Sequence, residues 1–135
     1  MKKGTFNKTL FILAFALIFT LQFTLLQSQN QEKTNEPKPL VTFIELGSVN
    51  CIPCKKMQPI MKSLETKYGS QLKVIFYDVW KPDQKKYAKM YKIRVIPTQV
   101  FLDKDGKEFF RHEGFFPEEE IDKLLQKRGL KPLKK

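Results

Sequence analysis

The sequence predicts an α/β fold in which a central mixed β-sheet is flanked by helices. Short apolar runs rich in β-branched and aromatic residues alternate with segments of helical periodicity over residues 40–130. A strand–helix–strand unit requires a right-handed crossover and produces a parallel strand pair. Further along the chain, an Asp-Lys-Asp-Gly turn at residues 103–106 joins two strand-like runs, so it adds an antiparallel hairpin.

The first strand and the first helix are predicted from residues 40–68. Residues 40–46 (LVTFIEL) form an apolar, β-rich run that is typical of a buried strand. A helix begins at Pro53 or Cys54, because proline suits a first helical turn, and it continues to Tyr68. Pro59 lies inside this helix and is expected to kink it. The apolar face of the helix comprises Met57, Ile60, Met61 and Leu64.

Three strands and two helices are predicted to follow. Residues 72–79 form a second buried strand, and residues 82–91 form a short helix. Residues 98–102 and 107–112 are the two strands of the hairpin. The final helix begins at Pro117 and has acids in its first turn and bases in its last, which suits the helix dipole. Its core face comprises Ile121, Leu124 and Leu125.

The composition excludes several classes of protein. The 135 residues are 41% hydrophobic and 29% charged, a balance that suits one globular domain and argues against overall disorder. Two cysteines are too few for a disulfide scaffold or a four-cysteine zinc site. One histidine leaves little scope for a histidine-rich metal centre, so no metal site is expected.

Residues 1–30 have the pattern of an export segment. Lys2, Lys3 and Lys8 precede a nearly continuous apolar run over residues 10–26, which is about the minimum length of a membrane-spanning helix. The lysines favour the cytoplasmic side, so the rest of the chain is expected in the periplasm or on the outer side of the cytoplasmic membrane. No clear small-residue cleavage site follows, and both a cleaved signal peptide and a retained membrane anchor stay open.

The remaining regions are assigned by composition and charge. Residues 31–39 are polar and contain two prolines, which indicates a linker, residues 40–130 form the domain, and residues 131–135 form a basic tail. Beyond residue 30 there are 22 basic and 14 acidic residues, a net charge of +8. Because these lysines are interleaved with acids, we expect a basic soluble surface and no nucleic-acid partner.

The chemistry is concentrated in the segment Cys51-Ile52-Pro53-Cys54. Cys51 lies just before the helix, where unpaired backbone N–H groups and the helix dipole stabilise a thiolate, so it is the candidate nucleophile. Cys54, in the first turn, is placed to resolve a mixed disulfide. Pro53 has a fixed φ and is expected to stiffen the ring between the cysteines. The alternatives are half of a zinc site, a purely structural disulfide and a chance occurrence.

Four other features occur at fixed places relative to the cysteines. An acid lies six residues before the first cysteine, and a proline lies five residues after the second. Another proline stands between an apolar residue and a threonine, and a glycine follows the last predicted strand. With the cysteine motif they resemble the thioredoxin family over residues 40–129, and more closely its exported bacterial members associated with membrane electron carriers and cytochrome c maturation. The residues concerned are Glu45, Pro59, Ile96-Pro97-Thr98 and Gly114.

The resemblance implies a thioredoxin-like fold that lacks most of the N-terminal strand–helix unit. It implies that Glu45 is a buried acid with a raised pKa that exchanges a proton with Cys54. It also implies a cis Pro97 that frees the backbone of Ile96 to pair with an extended substrate, with Thr98 in the same loop. Pro59 and Gly114 have structural roles, and no cofactor is needed. From the residues alone, a surface glutamate and a trans proline that starts an edge strand remain open.

Some positions depart from the pattern of the family. Asn50 stands where an aromatic residue usually precedes the first cysteine, and Gly47 stands where an aromatic residue usually follows the acid by two positions. Both changes are expected to open the surface around Cys51. His112 is predicted to be an exposed strand residue, and three aromatic residues are interpreted as core or rim packing: Trp80, Phe115 and Phe116.

The predicted function is thiol–disulfide exchange outside the cytoplasm, most simply the reduction of disulfides in exported client proteins. Cys51 attacks the client disulfide and Cys54 releases the reduced client. The resemblance implies a membrane thiol electron carrier as electron donor and a cysteine-bearing client such as an apocytochrome c. The alternatives are a disulfide oxidase or isomerase that works from the Cys51–Cys54 disulfide, and a non-catalytic binding or assembly module.

Overall fold

A computed structural model describes residues 38–134 and contains a four-stranded mixed sheet with helices on both faces. The strand order is β2–β1–β3–β4, in which β1 pairs with β2 in parallel and with β3 antiparallel, and β3 pairs with β4 antiparallel. The predicted mixed sheet flanked by helices is therefore confirmed. The elements in chain order are β1 (Val41–Gly47), α1 (Ile52–Tyr68), β2 (Leu72–Asp78), α2 (Lys85–Met90), β3 (Thr98–Asp103), β4 (Glu108–Glu113) and α3 (Glu118–Lys127).

The two faces of the sheet bury two separate cores. Successive residues of a strand point to opposite faces, so Phe43 and Ile44 of β1 belong to different cores. Phe43 stacks on Phe101 of β3 at 4.7 Å between ring centroids, beneath α1 and α3. On the other face Ile44 packs with Val100 and with side chains of α2. The apolar residues of α1 and α3 that the periodicity selects all lie in or against the first core.

The structure corrects two predictions about the segment after α1. The second strand was expected to be buried, but the positions between Leu72 and Asp78 are exposed or half-buried. The reason is its place in the sheet, since β2 is the outer strand next to β1 in the described part of the chain. The short helix begins at Lys85 instead of Pro82, because residues 82–84 form a turn.

The last described residues close back onto the end of α1. The Leu133 amide donates to the Lys67 carbonyl at 2.8 Å. The Gln71 side chain bonds to both the amide and the carbonyl of Lys131, at 3.0 and 2.8 Å, and the Gln71 carbonyl accepts the amide of Leu40 at 2.9 Å. Gln71 therefore joins the two ends of the domain.

The predicted export segment and most of the linker lie outside the described residues. The expectation that most of an N-terminal strand–helix unit is missing also concerns that part of the chain. Among residues 38–134, no helix combines the length and the apolar composition that crossing a membrane requires.

Candidate active site

The two cysteines form a disulfide at the N-terminus of α1. Cys51 is the N-cap residue, with φ −94° and ψ 123°, and the helix begins at Ile52. The two Cα atoms are 5.2 Å apart. Pro53 lies in the first turn, where its missing N–H needs no partner. Between residues 38 and 134, no three histidine, cysteine or carboxylate side chains are arranged to hold a metal ion.

The two cysteine residues are both largely buried, but only Cys51 keeps some exposure to solvent. Cys51 is 9% exposed and Cys54 is 0% exposed. Cys51 lies between the exposed residues Asn50 and Ile52. A large client disulfide can therefore approach Cys51 only, and Cys54 can react only with a sulfur that is already attached there.

The loop that carries Cys51 is held by hydrogen bonds to the Ser48 carbonyl and to the Asp78 carboxylate. The Cys51 amide donates to the Ser48 carbonyl at 3.2 Å. The carboxylate of Asp78, which is almost completely buried, accepts the amide of Val49 at 3.4 Å and the amide of Trp80 at 3.2 Å. Asp78 is not among the residues that the sequence motifs predict; its one signal is an acid at the end of a predicted strand. Its carboxylate joins the cysteine loop to the loop after β2.

Glu45 is completely buried beneath the start of α1, which excludes the alternative of a surface glutamate. Glu45 and Gly47 face the same side of β1, and a Cβ atom at Gly47 would lie 3.2 Å from Sγ of Cys54. Nε2 of Gln99, directly opposite on β3, donates to Oε2 of Glu45 at 2.9 Å. Burial raises the pKa of Glu45 to about 8, and the hydrogen bond from Gln99 opposes this rise.

The expectation that Gly47 opens the surface around the cysteines is wrong. Gly47 is buried, and a Cβ atom there would lie 3.1 Å from Cβ of Cys54 and 3.3 Å from Cε2 of Phe76. The absence of a side chain instead allows the start of α1 to approach β1 closely. This contact brings the buried sulfur next to the strand that carries Glu45.

The proline loop lies before β3. The Ile96–Pro97 peptide bond is cis, so the alternative of a trans proline is wrong. Thr98 begins β3, and its hydroxyl donates to the Val95 carbonyl at 2.7 Å. Gly114, with φ +97°, donates its amide to the Pro97 carbonyl at 2.8 Å. No backbone hydrogen bond joins Ile96 to any other residue that the structure describes, so its peptide groups are available to a partner.

An apolar groove lies beside this loop. Val95 and Ile96 line it together with Trp80, and the basic residues Lys85 and Arg94 contribute to its walls. Trp80 is 60% exposed and Val95 is 48% exposed, so the groove presents neighbouring apolar side chains to solvent.

Two other aromatic residues and the histidine lie near the end of β4. Phe116 is buried in the first core and Phe115 is partly exposed. His112 is half-buried and stacks on Phe116 at 4.3 Å between ring centroids. The prediction of an exposed histidine is therefore wrong, because the β3–β4 register places His112 on the face that α1 and α3 cover.

Comparisons with known proteins agree with this arrangement. The family model of a thioredoxin-like domain matches residues 26–129. A thioredoxin of Bacillus subtilis (strain 168) is 28% identical over 103 residues, which are 76% of this chain and 96% of the relative. A thioredoxin of Staphylococcus aureus is 28% identical over 87 residues, which are 64% of this chain and 81% of the relative.

Solved structures confirm the predicted thioredoxin-like fold. The germline-specific thioredoxin Deadhead of Drosophila melanogaster superposes with a TM-score of 0.58 at 28% identity, over 68% of this chain and 83% of its own. A mutant thioredoxin from Halobacterium salinarum NRC-1 superposes with a TM-score of 0.56 at 22% identity, over 67% of this chain and 75% of its own.

Proposed function

Because the chain belongs to the thioredoxin family and is a thiol–disulfide oxidoreductase, we propose that it reduces disulfides of client proteins outside the cytoplasm. The observation that carries this proposal is the arrangement of its two sulfurs. Cys51, the more exposed of the two cysteines, lies at a helix N-terminus, and the fully buried Cys54 lies against β1, the strand that carries the buried carboxyl group of Glu45. This arrangement suits attack on a large disulfide followed by internal resolution.

The reaction begins with both cysteines reduced. The unpaired N–H groups at the start of α1 stabilise the Cys51 thiolate, which attacks one sulfur of the client disulfide and releases the other as a thiolate. The sulfur of Cys54 then attacks Cys51, which breaks the mixed disulfide and releases the second client sulfur with its electron pair. In this step Glu45 takes the proton of the Cys54 thiol. Two electrons pass to the client, and the chain is left with its internal disulfide.

The client binds beside the proline loop in this proposal. The free peptide groups of Ile96 pair with an extended client segment, as an added strand pairs with a sheet edge. Pro97 and Thr98 shape this loop at the end of β1 from which the cysteine segment continues, since Thr98 pairs with Leu46. Apolar client side chains then lie in the groove beside Trp80 and Val95.

The direction of electron flow and the location rest on sequence features. Ile52 and Pro53 between the cysteines lack the histidine of strongly oxidising family members, which favours a reductant. The lysines and apolar run of residues 1–26 favour export. Because an exported compartment is often oxidising, a reductase there requires electrons from a membrane thiol carrier. An apocytochrome c is a candidate client.

The reduction potential of the purified chain tests the direction. Equilibration against glutathione or dithiothreitol, with thiol trapping, gives the fraction of oxidised Cys51–Cys54 pairs. We expect a value near that of thioredoxin, about −270 mV. A value near −120 mV, which characterises strong oxidants, would show that the chain donates disulfides instead.

Replacing Trp80 with alanine is expected to weaken client binding. The change removes a large, exposed apolar surface from the groove, and we expect KM for a disulfide-bearing protein to rise about 5-fold with little change in kcat. Steady-state kinetics are measured with the protein client and with a small disulfide that does not fill the groove. The comparison separates weaker binding in the groove from a slower reaction at the cysteines. Met90→Ala is the matched control, since Met90 is equally exposed but does not line the groove. An equal loss with the small disulfide would contradict a binding role.

A further inference from the structure

Gln99 is a fully buried amide for which packing gives no reason. Its side chain is 0% exposed and faces the first core, and the next residue of β3 on that face is Phe101. A buried amide is unfavourable unless its polar atoms are hydrogen-bonded. Here the amide nitrogen has one partner, Oε2 of Glu45, and the amide oxygen has none in the described part of the chain.

The pairing distinguishes the two oxygens of the buried carboxyl group. Oε2 of Glu45 accepts the hydrogen bond from Gln99, whereas Oε1 is buried with no partner among residues 38–134. An amide nitrogen can only donate, so Oε2 has to act as an acceptor. When Glu45 is neutral, its proton therefore resides on Oε1, and when Glu45 is ionised, Oε1 is the oxygen left free to take a proton.

The surroundings contain few other groups that act on this carboxyl. The pKa of Glu45 reflects burial and the Gln99 hydrogen bond, with no contribution from a neighbouring charge. On β2 the residue opposite Glu45 is Phe76, and on β4 the residue opposite Gln99 is His112, whose Nε2 lies 3.2 Å from the Phe115 carbonyl. The titratable groups at the start of α1 and at the neighbouring positions of β2 and β4 are Cys51, Cys54, Asp78 and His112. The other charged side chains of α1, β2 and β4 are exposed or half-buried.

We propose that Gln99 is a positioning residue of the resolving step: its amide holds Oε2 of Glu45 and thereby reserves Oε1 for proton exchange with Cys54. This inference rests on the proposed role of Glu45. As the Cys54 sulfur bonds to Cys51, its proton passes to Oε1, and the client sulfur leaves with the electron pair of the broken disulfide. In the reverse reaction the same oxygen returns the proton.

Gln99→Met, which keeps the length of the side chain but removes the donor, tests the inference. Without the hydrogen bond the ionised form of Glu45 loses its partner. We expect the midpoint of the pH–rate profile for resolution to rise by about one pH unit and the rate at pH 7 to fall about 10-fold. The plateau at high pH is expected to stay unchanged. The rate is measured by quenched flow, as disappearance of the mixed disulfide, and Gln99→Leu serves as a second variant.

Adding Gln99→Met to two other variants distinguishes a positioning role of Gln99 from damage to the fold. With Cys54→Ser, which stops after the first attack, Gln99→Met is expected to leave the rate of Cys51 attack unchanged. With Glu45→Gln, adding Gln99→Met is expected to leave the pH profile of resolution unchanged. A lowered plateau with an unmoved midpoint would overturn the inference, as would an unchanged profile. If Glu45→Gln alone left the profile unchanged, the proposed role of Glu45 would fail first, and the role of Gln99 with it.

Discussion

Replacing Cys51 with serine is expected to abolish turnover, whereas replacing Cys54 with serine is expected to stop the reaction halfway. Cys51 is the only sulfur that a client disulfide can reach, so Cys51→Ser should reduce the reduction rate on the order of 10³-fold or more. Cys54→Ser keeps the nucleophile but lacks the group that resolves the mixed disulfide. It should therefore accumulate a covalent complex with the client.

Turnover by the original chain and by Cys51→Ser is compared with a disulfide-bearing protein as client and dithiothreitol as electron source. The Cys54→Ser chain is first reduced, then freed of dithiothreitol and mixed with the client, because dithiothreitol would itself cleave the mixed disulfide. Turnover is followed as the appearance of client thiols, and the covalent complex is seen on a non-reducing gel. A binding or assembly module would retain its partner in both variants and would show no turnover even with both cysteines present. Substantial turnover by the Cys51→Ser chain, or the same complex formed through Cys54, would contradict the assignment of nucleophile and resolving residue.

Replacing Glu45 with glutamine is expected to stabilise the fold, and more so as the pH rises. The pKa of Glu45 is about 8 in the folded chain, against 4.5 for an unperturbed glutamate, because burial penalises the charged form. Below pH 4.5 both the folded and the unfolded chain hold the proton, so its ionisation has no effect on stability. From pH 4.5 through 8 only the unfolded chain readily loses the proton, which favours unfolding. At roughly 1.4 kcal/mol per pKa unit, the rise of the pKa from 4.5 to about 8 lowers the free energy of unfolding above pH 8 by about 5 kcal/mol.

Glu45→Gln removes this loss while keeping an oxygen that accepts the hydrogen bond from Gln99. Denaturant unfolding of the oxidised chain at pH 4.5, 7 and 8.5 measures the effect without titration of the cysteines. We expect the gain over the original chain to grow from near zero to about 5 kcal/mol across this series. Glu65→Gln, on an exposed part of α1, is the matched control and should be neutral. A gain that does not depend on pH would show that Glu45 is not neutral when buried.

The elements of the fold and the reactive residues were predictable because their signals are local. The pattern of apolar runs, the prolines and the Asp-Lys-Asp-Gly turn each specify a strand, a helix or a turn within a few residues. The cysteine motif was found by spacing along the chain, and Glu45 was implied by the resemblance to the thioredoxin family. Burial of β2 was not predictable, since it depends on the place of the strand in the sheet and not on its own apolar residues.

The contacts that set the geometry of the site depend on register, which the sequence does not display. Gln99 acts on Glu45 because β3 places the two residues opposite each other, 54 positions apart in the chain. Gly47 was expected to open space, yet it allows Cys54 to approach β1. Asp78 joins two loops that are separated by the whole of α1. Each is a polar or small residue whose role appears only when the strands and α1 are assembled.

The hydrogen bonds of Gln71 bring together the two points at which the chain enters and leaves the domain. The chain enters the domain at Leu40 and leaves it at Lys131, and both residues are hydrogen-bonded to Gln71, just beyond the last turn of α1. Cys51 lies at the opposite end of α1, and a helix of 17 residues is about 25 Å long. Leu40 and Lys131, where the chain enters and leaves the domain, therefore both lie at the end of α1 opposite the disulfide. A label attached beside either residue would therefore be about one helix length away from the reactive sulfur.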